Sequence, residues 1–93
     1  MILHTARICL SKHAKRRMDE RSLKYDDVVE SINNPKQLVY DKWNDVYIAV
    51  SITGNAVVYA FKGNRVEVLT VLGRREYEAL VSKYGTKRYK VLT

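Results

Sequence analysis

His13, Arg17 and Arg21 follow one another at intervals of four residues, the spacing that sets three side chains along one face of a helix. An imidazole at the head of two guanidiniums can hold a phosphodiester, with the cations on its oxygens and a proton acceptor at one end. Ser11 is a good N-cap, which puts His13 at the second helical position. There it sits at the positive end of the helix beside Lys12, Arg16 and Arg17, and an imidazole is the side chain suited to taking a proton near neutral pH. The same pattern also describes a solvated basic face with a histidine near its start, and the spacing alone does not separate the two.

The charge of the whole chain bears on that choice. Its 93 residues carry a formal charge of +7, and the excess is clustered at the two ends. Lys12, Lys15, Arg16, Arg17, Arg21 and Lys24 face only Asp19 and Glu20 in one stretch, and Arg74, Arg75, Lys83, Lys87, Arg88 and Lys90 face only Glu76 and Glu78 in the other. Clustered positive charge points to a polyanion, RNA or another nucleic acid, or to an acidic protein partner. There is no glycine-rich phosphate loop, no GxSxG elbow and no HExxH pair. The single cysteine, Cys9, has no internal disulfide partner and reads as a small core residue, and His4 as an exposed one. No Cys/His cluster has metal-ligand spacing, so neither a metal nor another cofactor is expected. No apolar run has the length of a membrane helix, and the charge order at the N-terminus is wrong for a secretory signal. A cytoplasmic protein with no membrane association is the expectation.

A chain of this length holds one core, so residues 1–93 are expected to form one domain. The basic helix should run from Ser11 to about Ser22, with Ala14 and Met18 as its thin apolar stripe. A second helix should span Tyr25 to Ile32, opened by Asp26 and Asp27 and closed by Asn33-Asn34-Pro35, with an asparagine tolerating the left-handed conformation. Period-two patterning then predicts strands over Gln37–Tyr40, Val46–Ile52, Ala56–Phe61 and Arg65–Leu72, with the last three joined by short glycine-containing turns. Ala56–Phe61 is apolar on both faces and should be central, with helices over one side. Arg74–Tyr84 repeats apolar residues at helical spacing and stops at Gly85. A further strand is expected near Ile2–Leu10, and Thr86–Thr93 reads equally as a loose arm or an edge strand. The fold class is α+β: two N-terminal helices packed on a three- to four-stranded antiparallel sheet, plus a C-terminal helix.

The run Ser11-Lys12-His13-Ala14-Lys15-Arg16-Arg17-Met18-Asp19-Glu20-Arg21-Ser22-Leu23, followed by Asp26-Asp27-Val28, resembles a family of small uncharacterised domains. Their pattern is His-Ala-x-x-Arg-Met-x-x-Arg, then an acidic helix start, an Asn-Pro stop and three strands. That family is similar in layout to the RelE/ParE toxin and colicin D ribonuclease superfamily. The resemblance covers about residues 8–72, and Ser22 stands where glycine is usual. It implies a RelE-like fold and a metal-independent endoribonuclease, in which a ribose 2′-hydroxyl attacks its own phosphate. His13 would then serve as base or acid, and Lys12, Arg17 and Arg21 as the phosphate clamp. Thr70 would supply the late-strand hydroxyl that the ribonuclease relatives use. A toxin of this type also implies an acidic antitoxin-like partner.

Three functions follow as expectations: the toxin-like endoribonuclease, a nucleic-acid-binding protein without chemistry on the same scaffold, and a basic module docking an acidic protein. Lys15, Arg16, Arg74 and Arg75 would extend the phosphate surface, and Trp43, in a polar turn, would offer an exposed ring to a base. Tyr40, Tyr47 and Tyr59 suit stacking as well, although sheet aromatics more often fill a core.

Overall fold

Ser11 joins the first strand to the basic helix, and its bonds fix how the two sit. The computed structural model describes residues 7–93, so the expected strand over Ile2–Leu10 is seen only from Arg7, and His4 lies outside the described residues. The elements are β1 (Arg7–Leu10), α1 (Lys12–Glu20), α2 (Tyr25–Asn33), β2 (Gln37–Asp41), β3 (Val46–Val50), β4 (Ala56–Lys62), β5 (Arg65–Leu72), α3 (Arg74–Tyr84) and β6 (Tyr89–Val91), with a 3-10 turn over Gly85–Lys87 before the last. The Ser11 hydroxyl accepts the Ala14 N–H at 2.9 Å as a helix cap and donates to the Leu69 carbonyl at 3.0 Å. Its own N–H donates to Val68 O at 3.1 Å. The cap that starts α1 therefore also ties it to β5.

Among the described residues six strands lie in the order β1-β5-β4-β3-β2-β6, antiparallel throughout except for the parallel pair β1 and β5. The α+β class holds. The sheet is larger than the expected three or four strands because both chain ends add an edge: β1 beside β5, and β6 beside β2 with Tyr40 opposite Lys90. The C-terminal tail is thus an edge strand. Helices also cover both faces, where one covered face was expected. Ala14 and Met18 of α1 and Val28 and Ile32 of α2 pack on Ala49, Val57, Tyr59, Val66, Val68 and Val71. Tyr77, Leu80, Val81 and Tyr84 of α3 pack on the other face with Val39, Ile48, Ala56 and Val58. A strand apolar on both sides, as β4 is, needs this double cover.

Some local expectations change. Strand β3 stops at Val50, and Ile52 stands 84% exposed in the turn that follows. Helix α2 ends at Asn34 with φ −132°, so the stop does not use a left-handed asparagine; the restriction that Pro35 places on its predecessor is reason enough. Ser22 takes the left-handed conformation, with φ 56°. A β-bulge shifts β5 against β4 between Val58 and Tyr59, so that Tyr59 faces Val68 and Val58 faces Thr70.

Candidate nucleic-acid interface

Helix α1 divides its basic residues between two uses. Lys12, His13, Lys15 and Arg16 are exposed. Arg17 and Arg21 are turned inward, with side chains only 20% and 30% accessible, and both guanidiniums pair with one oxygen of Glu76 on α3. Arg17 also donates from Nε to the Val71 carbonyl at 3.1 Å and pairs with Glu20 at 3.4 Å. The phosphate clamp expected of Arg17 and Arg21 is closed on a carboxylate of the protein itself.

Glu76 is held in place by the start of α3. Its carboxylate accepts the Gly73 N–H at 2.9 Å, the half of a capping box that a carboxylate at the third helical position can supply. That N–H bond, outweighing partial desolvation, and then the charges of Arg17 and Arg21 hold its carboxyl below the ordinary 4.5. A carboxylate stabilised in this way stays ionised and is a poor proton acceptor. Gly73 and Glu76 stand three apart in the sequence, and that spacing is the signal by which the residue is findable. Arg21 covers Gly73, and its Nε is buried without a hydrogen-bond partner.

Thr70 does not join His13. Continued alternation from Val66 and Val68 would aim residue 70 at α1. The bulge advances β5 by one residue, so Val71 takes that face while Thr70 stands opposite Val58, on the face that α3 covers. Arg74 is also directed elsewhere: it lies against Gly54 and pairs with Glu78 at 3.3 Å. Arg75 is exposed on the first turn of α3. Trp43 belongs to the turn between β2 and β3, three strands away from β5 in the sheet order.

The tyrosines expected to be mainly core form a continuous row on the sheet face that carries α1 and α2. Tyr40 and Tyr47 are 5.3 Å apart between centroids, Tyr47 stacks on Tyr59 at 5.8 Å, and Phe61 meets Tyr47 and Tyr59 edge-on at 5.5 and 5.8 Å. The row grades from core to surface. Tyr59 is 3% exposed, and burial pushes its hydroxyl up to about 12, whereas Phe61 is 50% exposed. A groove between α2 and the β3–β4 turn, lined among others by Leu23, Val28, Ser31, Ile52 and Val57, contains none of the sequence-predicted site residues.

The helix with its exposed basic residues, the Asn-Pro stop and strands β2 to β5 all fall within residues 10–73, which match the family model for DUF4258, a domain of unknown function. The chain belongs to the DUF4258 family. No curated protein and no solved structure gives a significant match. The DUF4258 match takes in Lys12 to Arg21, Trp43 and Thr70 and ends at Gly73. Glu76, which closes the arginine pair, lies just beyond it.

Proposed function

We propose that this protein binds RNA across α1 and the adjoining sheet face, and cleaves it without a metal in the manner of the RelE/ParE and colicin D layout. The observation that carries the reading is a shared face: exposed Lys12, His13, Lys15 and Arg16 lie on the helix that packs over the same sheet surface as the accessible rings Tyr40, Tyr47 and Phe61, with Tyr59 buried among them. Cations for phosphates beside aromatic rings for bases are what a single strand of RNA requires. In the cleavage step the His13 imidazole takes the proton of a ribose 2′-hydroxyl. That oxygen attacks its own phosphorus, the bond to the 5′-oxygen breaks, and the departing oxygen takes a proton from solvent. Lys12, Lys15 and Arg16 stabilise the charge gathering on the phosphate. Glu76, held ionised, fixes Arg17 and Arg21 and accepts no proton. A cytoplasmic location and an acidic partner protein over the basic face fit the same reading.

RNA binding without cleavage is the second reading. It is favoured by the engagement of Arg17 and Arg21 with Glu76, which leaves Lys12, Lys15 and Arg16 as the open cations of α1. One assay separates the two. Total RNA is incubated with protein in excess chelator, beside His13→Ala and a Lys12→Ala/Lys15→Ala/Arg16→Ala variant, each confirmed folded by thermal melting. Cleavage that His13→Ala loses while still binding RNA supports the enzyme. Intact RNA with salt-sensitive binding supports the second reading, since phosphate contacts weaken steeply with salt. Absence of RNA binding at low salt removes both.

A further inference from the structure

The turn after β2 and the end of α3 build a second surface that uses none of the α1 residues. Asp41 is 2% exposed, and its carboxylate accepts N–H groups of Trp43 at 3.0 Å and Asn44 at 3.3 Å. Arg88 meets the same carboxylate with Nε at 3.1 Å to both oxygens and Nη2 at 2.9 Å. The guanidinium carbon of Arg88 then stands 5.2 Å from the Trp43 ring centroid and 5.0 Å from those of Tyr84 and Tyr89. Trp43 meets Tyr84 edge-to-face at 5.0 Å. The indole is therefore fixed by a buried ion pair and a neighbouring ring, yet it is 56% exposed.

Three lysines belong to the same segments: Lys42 precedes Trp43, Lys83 precedes Tyr84 and Lys87 precedes Arg88. Lys42, Lys83 and Lys87 are all exposed. Lys42 Nζ donates to the Thr86 carbonyl at 2.7 Å, and Lys83 Nζ lies 5.3 Å from the Tyr84 centroid, so two of the three ammonium groups are held in place. Asp41 is offset by Arg88, and Asp45, the other acid of the turn, accepts the Tyr40 hydroxyl at 2.6 Å. A rigid, open indole with exposed lysines on the segments that build its surroundings offers a stacking face together with cations for the flanking phosphates.

We infer that Trp43, with Tyr84 beside it and Lys42, Lys83 and Lys87 on the adjoining segments, is a second binding site for single-stranded nucleic acid, taking one unpaired base onto the indole. The inference shares its ligand class with the proposed function, while its residues are separate. Strand β2 is three places from β5 in the sheet, and α3 covers the opposite face from α1. A duplex does not suit the site, because its bases are already stacked on one another.

Trp43 is the only tryptophan, so emission excited at the long-wavelength edge, where indole absorbs and tyrosine does not, reports this site alone. The full chain is titrated with a single-stranded oligouridine, a single-stranded oligothymidine, a duplex of the same length and inorganic polyphosphate. Labelled-strand anisotropy follows total binding in parallel. Both single strands should quench and shift the emission, and the duplex and polyphosphate should not. Lys83→Glu/Lys87→Glu should raise the concentration needed for quenching about tenfold or more, and Trp43→Leu should weaken anisotropy-detected binding about fivefold or more. Quenching should persist in the Lys12→Ala/Lys15→Ala/Arg16→Ala variant. Strand binding with unmoved emission overturns the site and leaves the α1 reading standing. Equal quenching by duplex or polyphosphate overturns stacking, and loss of quenching in the α1 variant overturns the independence of the two surfaces.

Discussion

The guanidinium of Arg21 occupies the space where a side chain on Gly73 would begin: a Cβ there would collide with Arg21 Nη1. Gly73 is thus the residue that lets α1 reach the Glu76 cap of α3. Gly73→Ala should displace the Arg21 side chain and weaken its pair with Glu76. Because the pair is partly open to water, the cost should be about 1 kcal/mol. In an Arg21→Ala background the same change should cost much less, a coupling that a double-mutant cycle in urea reads directly.

Asp41 and Arg88 form the more enclosed pair, with side chains 4% and 16% accessible. Removing Arg88 leaves a buried carboxylate whose remaining donors are the N–H groups of Trp43 and Asn44 and the Asn44 amide. Arg88→Ala should destabilise the protein by about 3 kcal/mol, measured as a fall in the urea midpoint at unchanged m. It should also alter Trp43 emission, because the guanidinium packs on that ring.

Two carboxyls set the acid limb of stability. Burial pushes Asp41 up, but Arg88 and the N–H groups of Trp43 and Asn44 outweigh it, and the net lies below its ordinary 3.8. Glu76 likewise lies below 4.5. With folded values below unfolded ones, the unfolded chain binds more protons in acid, so this stabilisation is complete at neutral pH. It should begin to fall as pH drops past those ordinary values and vanish below the folded ones. Urea midpoints measured from pH 7 down to pH 2 check this, and the combined Asp41→Asn/Glu76→Gln variant should start lower and slope less.

Ser22 holds a left-handed backbone that an L side chain adopts at a cost. Ser22→Gly should therefore stabilise the protein, by about 0.5–1 kcal/mol after the greater freedom of glycine in the unfolded chain is set against the relief. A rise in melting temperature with RNA binding unchanged is the expected result.

The parts legible in the sequence are those decided within a few residues. Ser11 caps α1 through its own hydroxyl, Pro35 ends α2 through its own ring, and β4 shows by its two apolar faces that it is central. The basic face of α1 is equally local, since helical spacing alone aligns His13, Arg17 and Arg21. What the tertiary structure decided lies between distant segments. Arg17 and Arg21 meet a carboxylate more than fifty residues away, a single bulge in β5 turns Thr70 to the opposite face, and the tail becomes an edge strand only because β2 offers unpaired backbone. Trp43 becomes a fixed platform only when Arg88 arrives from the other end of the chain. Period and capping are written into neighbouring residues, whereas register, strand order and the partner of a charge depend on which segments meet when the core closes.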